Sequence, residues 1–269
     1  MNIFFLELRN IRKSAIIGTL SISCVLFVML AFFPSMQSES MRALADAKLE
    51  GIDPAVLAAL GLSEMLDFTV ITNFFGYVLQ FITLAVMVIV TQQAVALLIK
   101  EETDGTIEYL CAKPVSRSEI FFQKLLAHLV VFFSMAVVYT VVTVAGYLAF
   151  SDFSFGAAVK EAVIFFSAIF FVGLVFTAVG FLLSTLIKSS KGVSGVAIAI
   201  VFGTFILGVM SVVIEHLNFL IWFSPMDWIK TRKLMTEGIH LEEWVIGGGV
   251  ILVCTLAAWF RYRKKDLLI

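Results

Sequence analysis

Six long apolar runs separated by short polar segments organise this chain, at about 14–34, 71–99, 125–150, 162–187, 193–214 and 243–260. A helix rises about 1.5 Å per residue, so roughly 20 apolar residues cross the hydrocarbon core of a bilayer. None of the runs has a charged side chain in its interior, and the pattern predicts six transmembrane helices. The last run is the shortest, and Trp244 and Trp259 bracket it like interfacial anchors.

The polar positions around these runs predict the remaining elements. Ahead of the first run, Phe4, Leu8, Ile11 and Ala15 recur at helical spacing, with Arg9, Arg12 and Lys13 on the other side. That spacing predicts an amphipathic interfacial helix over 1–13 that lies on the membrane surface before the chain turns into the first span. A cleaved signal peptide fits less well, because the apolar run is long and Glu7 interrupts the basic leader. Residues 35–68 are too polar to span, and Asp53-Pro54 followed by Gly61 predicts a short helix there, as a solvated lid or a substrate-receiving loop. Before the last run, "LNFLIWF" at 217–223 is too short to cross. Ser224 as N-cap, Pro225 at the first position and Asp227 at the third predict a second short helix to about Glu237, before Gly238. Two re-entrant or interfacial helices over 215–242 follow from this reading.

Composition agrees with the membrane reading: 61% of residues are hydrophobic and the mean hydropathy is +1.03, against roughly 45–50% apolar in soluble domains. A net charge of −1 points to no nucleic-acid or polyacid partner. The placement of charge is more informative. With six crossings both termini share a side, and that side holds thirteen of the 19 Lys and Arg, which predicts cytoplasmic termini. Lys230, Arg232 and Lys233 are the dissenting cluster on the other side. Cys24 and Cys254 fall in apolar runs and read as small buried hydrophobes, with Cys111 outside any span and no CxxC pair. His128, His216 and His240 show no metal-binding spacing, and no metal site is expected.

The densest polar passage is the elbow "EETDGTIEYLCAKPVSR" at 101–117, between the second and third runs. Glu101 and Glu102 sit at the C-terminus of the second span, where the helix dipole disfavours carboxylates. Gly105 stops that helix, Thr106–Leu110 is long enough for one or two turns, and Pro114 stops those. Ser116 and Glu119 then form a capping box for the third span. A short rigid helix held between two spans suits a docking element that passes force from a partner; a tidy inter-span turn is the plainer alternative. On the second span, Asn73, Tyr77, Gln80, Met87 and Thr91 share one face, with Thr83 at its edge. Polar groups at membrane depth seek partners or a wet cavity, so Asn73, Tyr77 and Gln80 are either a translocation-path lining or interhelical hydrogen-bonding groups. On the fifth span Gly195, Ala199 and Gly203 share one face and Thr204, Gly208 and Ser211 another, which reads as close helix packing.

The elbow resembles the corresponding segment of the ABC-2 type permeases, the membrane subunits of one class of ATP-binding-cassette transporters. The matching residues are Glu102, Gly105, Thr106, Glu108, Leu110, Pro114 and Arg117, with Glu101 beside them. The "ELR" at 7–9, the turn "STLIKSSKG" at 184–192, "SPMDW" before the last span and the basic tail "RKKDLL" agree. The resemblance implies a single transmembrane domain over 1–269 with a cytoplasmic coupling helix that docks on a separate ATPase. It also implies two permease copies or paralogues per assembly, location in a prokaryotic cell membrane, and export as the usual direction. The chain has no G-x-x-x-x-G-K-[ST] motif, so ATP-Mg is expected on the partner and no cofactor or catalysis in this chain. An ion-coupled secondary transporter is the alternative, opposed by spans that read as free of interior charge. A non-transporting sensor or immunity protein on the same fold is a further one.

Overall fold

The computed structural model describes residues 3–39, 68–103, 105, 115–187 and 189–265. Every regular element among them is helical: α1 Ile3–Ala31, α2 Phe33–Met36, α3 Ile71–Thr103, α4 Arg117–Phe150, α5 Phe155–Leu186, α6 Val193–Val213, α7 Thr231–Thr236 and α8 Leu241–Lys264. Six helical stretches are long and apolar enough to cross a membrane, as expected, and they alternate in direction through the bundle. One end carries the end of α3, the start of α4, the start of α1 and the end of α8; the opposite end carries the end of α1, the start of α3 and residues 214–240.

α3 is the centre of the bundle. It packs against α5 and α6, α1 lies along α4, and α8 lies along α5. Of the most apolar stretch of α3, 72% is buried, against 22% for α6 and 17% for α8, so α6 and α8 are peripheral and present apolar faces outward. Aromatic rings fill the interior. Phe75 meets Tyr147 and Phe165 edge-on at 5.2 and 5.5 Å, and Phe121 meets Phe181 at 5.6 Å.

The first helix departs from expectation. No break separates an interfacial piece over 1–13 from a span beginning at 14; α1 runs unbroken to Ala31. The reason is packing. Ile3, Glu7, Ile11 and Ala15 are buried in the bundle and not laid on a surface, and Gln123 Oε1 accepts the Phe4 N–H at 3.0 Å, satisfying an orphan donor of the helix start from α4.

The charge-free spans also need correction. α4 begins at Arg117 and α5 at Phe155, ahead of the apolar windows, and they carry Lys124 and Glu161 inside the fold, 1% and 5% exposed. Lys124 Nζ pairs with Glu7 and donates to the Leu97 carbonyl at 2.7 Å, joining α4, α1 and α3 near the elbow end. Glu161 accepts from Tyr147 Oη at 2.8 Å and Thr72 Oγ1 at 3.0 Å, joining α5, α4 and α3 at the opposite end. Buried charges persist where partners satisfy them, so each ionic group braces three helices.

Glycines set the closest approaches. A Cβ on Gly180 would lie 2.7 Å from the Ala94 Cβ and 3.3 Å from the Thr91 carbonyl, which places α5 almost on the α3 backbone. Gly195 and Gly203 face open space, and Gly208 meets the Ser224 and Asp227 side chains and not another span, so close helix packing is formed at none of the three. Cys24 is exposed on the outer surface of α1, not buried.

Candidate functional site

At the end opposite the elbow, residues 215–236 fold back onto the helices. A distorted 3₁₀ run, Glu215–Phe223, follows α6, and a 3₁₀ turn, Asp227–Ile229, precedes α7. The helix expected from Ser224 to Glu237 is therefore broken: Lys230 adopts an extended conformation, with ψ at 135°. The Ser224 side chain does not cap, and its Oγ has no partner among the described residues. Burial overrides the local capping signal here, because Trp228 is 1% exposed and inserts toward α5, where its ring lies 6.5 Å from that of Phe171. Gly238 does end the segment, with φ at 74°, a conformation glycine adopts readily.

Two glycines admit this cover. A Cβ on Gly76 of α3 would collide with the Thr231 side chain, and one on Gly208 of α6 with Asp227 and Ser224. An ion pair from Lys233 to the buried Glu243 at the start of α8 then holds it down, while Asp227 and Lys230 pair at 2.5 Å within the cover. Glu243 also accepts the His240 N–H at 3.0 Å, closing the α8 N-terminus.

Beneath the cover lies a cavity of about 50 Å³, lined by Gln80, Thr83, Asp227, Lys230 and Leu234 among others. About 10–15 Å³ of such space holds one water, so the cavity accommodates a few waters. The α3 stripe therefore divides. Gln80 and Thr83 face the cavity, while Tyr77 packs between Phe68 at 5.8 Å and Phe81 at 5.2 Å. Asn73 is half-buried in the first turn, its N–H bonded to the Val70 carbonyl at 3.1 Å. Met87 and Thr91 are fully buried in the core, where Thr91 Oγ1 is satisfied by its own helix through the Met87 carbonyl at 2.6 Å.

At the elbow end, α3 continues through Glu101 and Glu102 to Thr103, three residues beyond Lys100, and Gly105 turns away with φ at 66°. The stop expected at Gly105 is thus formed by a left-handed glycine. Ser116 caps α4, accepting the Glu119 N–H at 3.2 Å. Arg117 Nη1 donates to the Lys265 carbonyl at 2.6 Å and the Arg263 carbonyl at 3.4 Å, fastening the first turn of α4 to the last turn of α8. The Trp259 indole adds a bond to Ser118 at 3.0 Å, with the Arg263 guanidinium 5.0 Å above its ring. Thr106, Glu108, Leu110 and Pro114, with the short helix expected over them, lie outside the described residues, as does the helix expected after Asp53.

A family model for an ABC-2 family transporter protein matches residues 1–267. The chain belongs to the ABC-2 transporter family. No curated protein matches it in sequence. As an ABC-2 permease it is a multi-pass membrane component of a transporter, and the match extends over both ends of the bundle. The residues that sequence reasoning missed are the buried braces Glu7, Lys124 and Glu161. Lys124 and Glu161 stand immediately ahead of the apolar runs at 125–150 and 162–187, and Glu7 falls on the same helical face as Ile3, Ile11 and Ala15, which is the signal the sequence held for them.

Proposed function

We propose that this permease works as half of an ATP-driven exporter, with a separate ATPase docking on the 101–117 elbow and ATP-Mg bound by that partner. The observation that supports the reading is the geometry of the two elbow ends: α3 runs past Lys100 to Thr103 with Gly105 turning the chain, and Arg117 bonds to the α8 terminus. A connection between two fixed helix ends can transmit a push into both α3 and α4, which hold the buried braces. Glu101, Glu102, Gly105, Thr106, Glu108, Leu110, Pro114 and Arg117 form the coupling segment in this reading. The elbow faces the cytoplasm of a prokaryotic cell with both termini, which the distribution of Lys and Arg supports.

The ion-coupled alternative gains little from the buried charges. Glu7, Lys124 and Glu161 each make contacts within the protein that account for them structurally. A second permease copy or paralogue is part of the reading, and the outward faces of α6 and α8 leave room for it.

Labelling Cys111 with a membrane-impermeant maleimide tests the docking. Reaction only after permeabilisation, and protection when the neighbouring ATPase is co-expressed, are the expected results. Reaction in intact cells would invert the topology, and labelling that no ATPase blocks would remove the coupling role. The cavity at the opposite end is read as the closed outer part of the path; Gln80 lines it, and Tyr77 and Asn73 stand on the same helix one and two turns nearer its start. Changing all three to Leu is expected to abolish export while leaving ATPase co-purification intact; normal flux from that variant would refute the path.

A further inference from the structure

On the α1–α3 face near the elbow end lies a second and larger cavity, about 360 Å³, within the range of roughly 300–1,000 Å³ common for small-ligand sites. Its lining changes character along the helix axes. Asn10 and Lys100 stand toward the elbow, while Ile17, Gly18 and Ile89 stand deeper in the bundle. Between these levels sits Gln93, only 9% exposed, with neither its Oε1 nor its Nε2 partnered among the described residues. Its neighbour Gln92 is engaged, donating to Ser194 on α6 at 2.9 Å. A carboxamide held at membrane depth with both ends unpaired is costly, and a bound polar group removes the cost. The acidic wall of the cavity is already neutralised, because Glu7 pairs with Lys124. Lys100, exposed at the mouth, gives the site a cationic rim.

We infer that this cavity binds an anionic glycerophospholipid from the adjacent leaflet. The phosphate sits on Lys100 and the glycerol ester oxygens accept from Gln93 Nε2. One acyl chain follows Ile17, Gly18 and Ile89. The polar-to-apolar order of the lining matches the order a lipid presents along its own axis, which a soluble phosphate ester does not. Bound there, the lipid fills the seam between α1 and α3 beside the Glu7–Lys124 brace. The inference needs the membrane setting alone and stands apart from ATPase docking.

Native mass spectrometry of the full-length protein in detergent, titrated separately with phosphatidylglycerol, phosphatidylcholine and glycerol 3-phosphate, tests it. One phosphatidylglycerol per chain is expected, bound about tenfold more tightly than phosphatidylcholine, with glycerol 3-phosphate a poor competitor. Gln93→Leu should weaken phosphatidylglycerol binding about tenfold, and Lys100→Gln should erase the preference over phosphatidylcholine. Gly18→Leu fills the cavity from the opposite wall and should lower binding even if the Gln93 variant folds poorly; size-exclusion profiles report the folding of each. Unchanged phosphatidylglycerol affinity in a folded Gln93→Leu or Gly18→Leu protein overturns the inference. So does equal wild-type affinity for the two lipids, and so does glycerol 3-phosphate displacing phosphatidylglycerol at comparable concentration.

Discussion

Lys124→Met is expected to destabilise the protein by about 3–5 kcal/mol, the range for breaking a buried ion pair from one side. The lysine side chain is 1% exposed and that of Glu7 3%, so the carboxylate left behind is poorly solvated. The same change strips a donor from the Leu97 carbonyl, a contact of 2.7 Å. Glu7→Leu combined with Lys124→Met should recover most of the loss, because replacing a whole buried pair with apolar side chains is often neutral or stabilising. Equilibrium unfolding in mixed micelles of the wild type, the two single variants and the double variant closes the cycle. If the double variant were as unstable as the sum of the singles, the pair would not be energetically coupled, and the brace between α1, α3 and α4 would be an accident of proximity.

Gly180→Val is expected to cost about 1–3 kcal/mol through overpacking, and more if the helices cannot part. The obstacle on the facing helix is largely backbone: the Thr91 carbonyl at 3.3 Å and the Val95 nitrogen at 3.4 Å from the added Cβ, with the Ala94 methyl at 2.7 Å. Backbone cannot swing aside as a flexible side chain can, so α5 must shift away from α3. That shift would also strain the bond from Leu98 N–H to Ser184 Oγ, 3.1 Å, one turn along the same seam. Gly249→Ala, where nothing lies within 4 Å, is the matching control and should leave stability nearly unchanged. Thermal unfolding of the two variants in detergent distinguishes them; equal melting temperatures would show that the α3–α5 contact tolerates a wider spacing.

The sequence by itself determined the six apolar helices, because hydrocarbon demands length and apolarity that few other patterns supply. It also determined the local punctuation at Gly105, Ser116 and Gly238, where backbone conformation and caps depend on adjacent residues alone. The elbow motif carried the family, which the match over residues 1–267 bears out. The tertiary structure decided everything that depends on which helix faces which. Ser224 and Asp227 read as a capping box, yet Trp228 burial and the close approach of the segment to Gly208 bend it into turns. Residues 1–13 read as a surface helix, yet Glu7 finds Lys124, 117 positions away, and the helix is drawn into the bundle. Gln80 and Tyr77 share a stripe in sequence, but the cover from 226–234 and the Phe68 and Phe81 rings give them different surroundings. Periodicity records which residues share a face of one helix, whereas a buried charge or a cavity is made by several helices at once. Those contacts join residues far apart in the chain, and only folding brings them together.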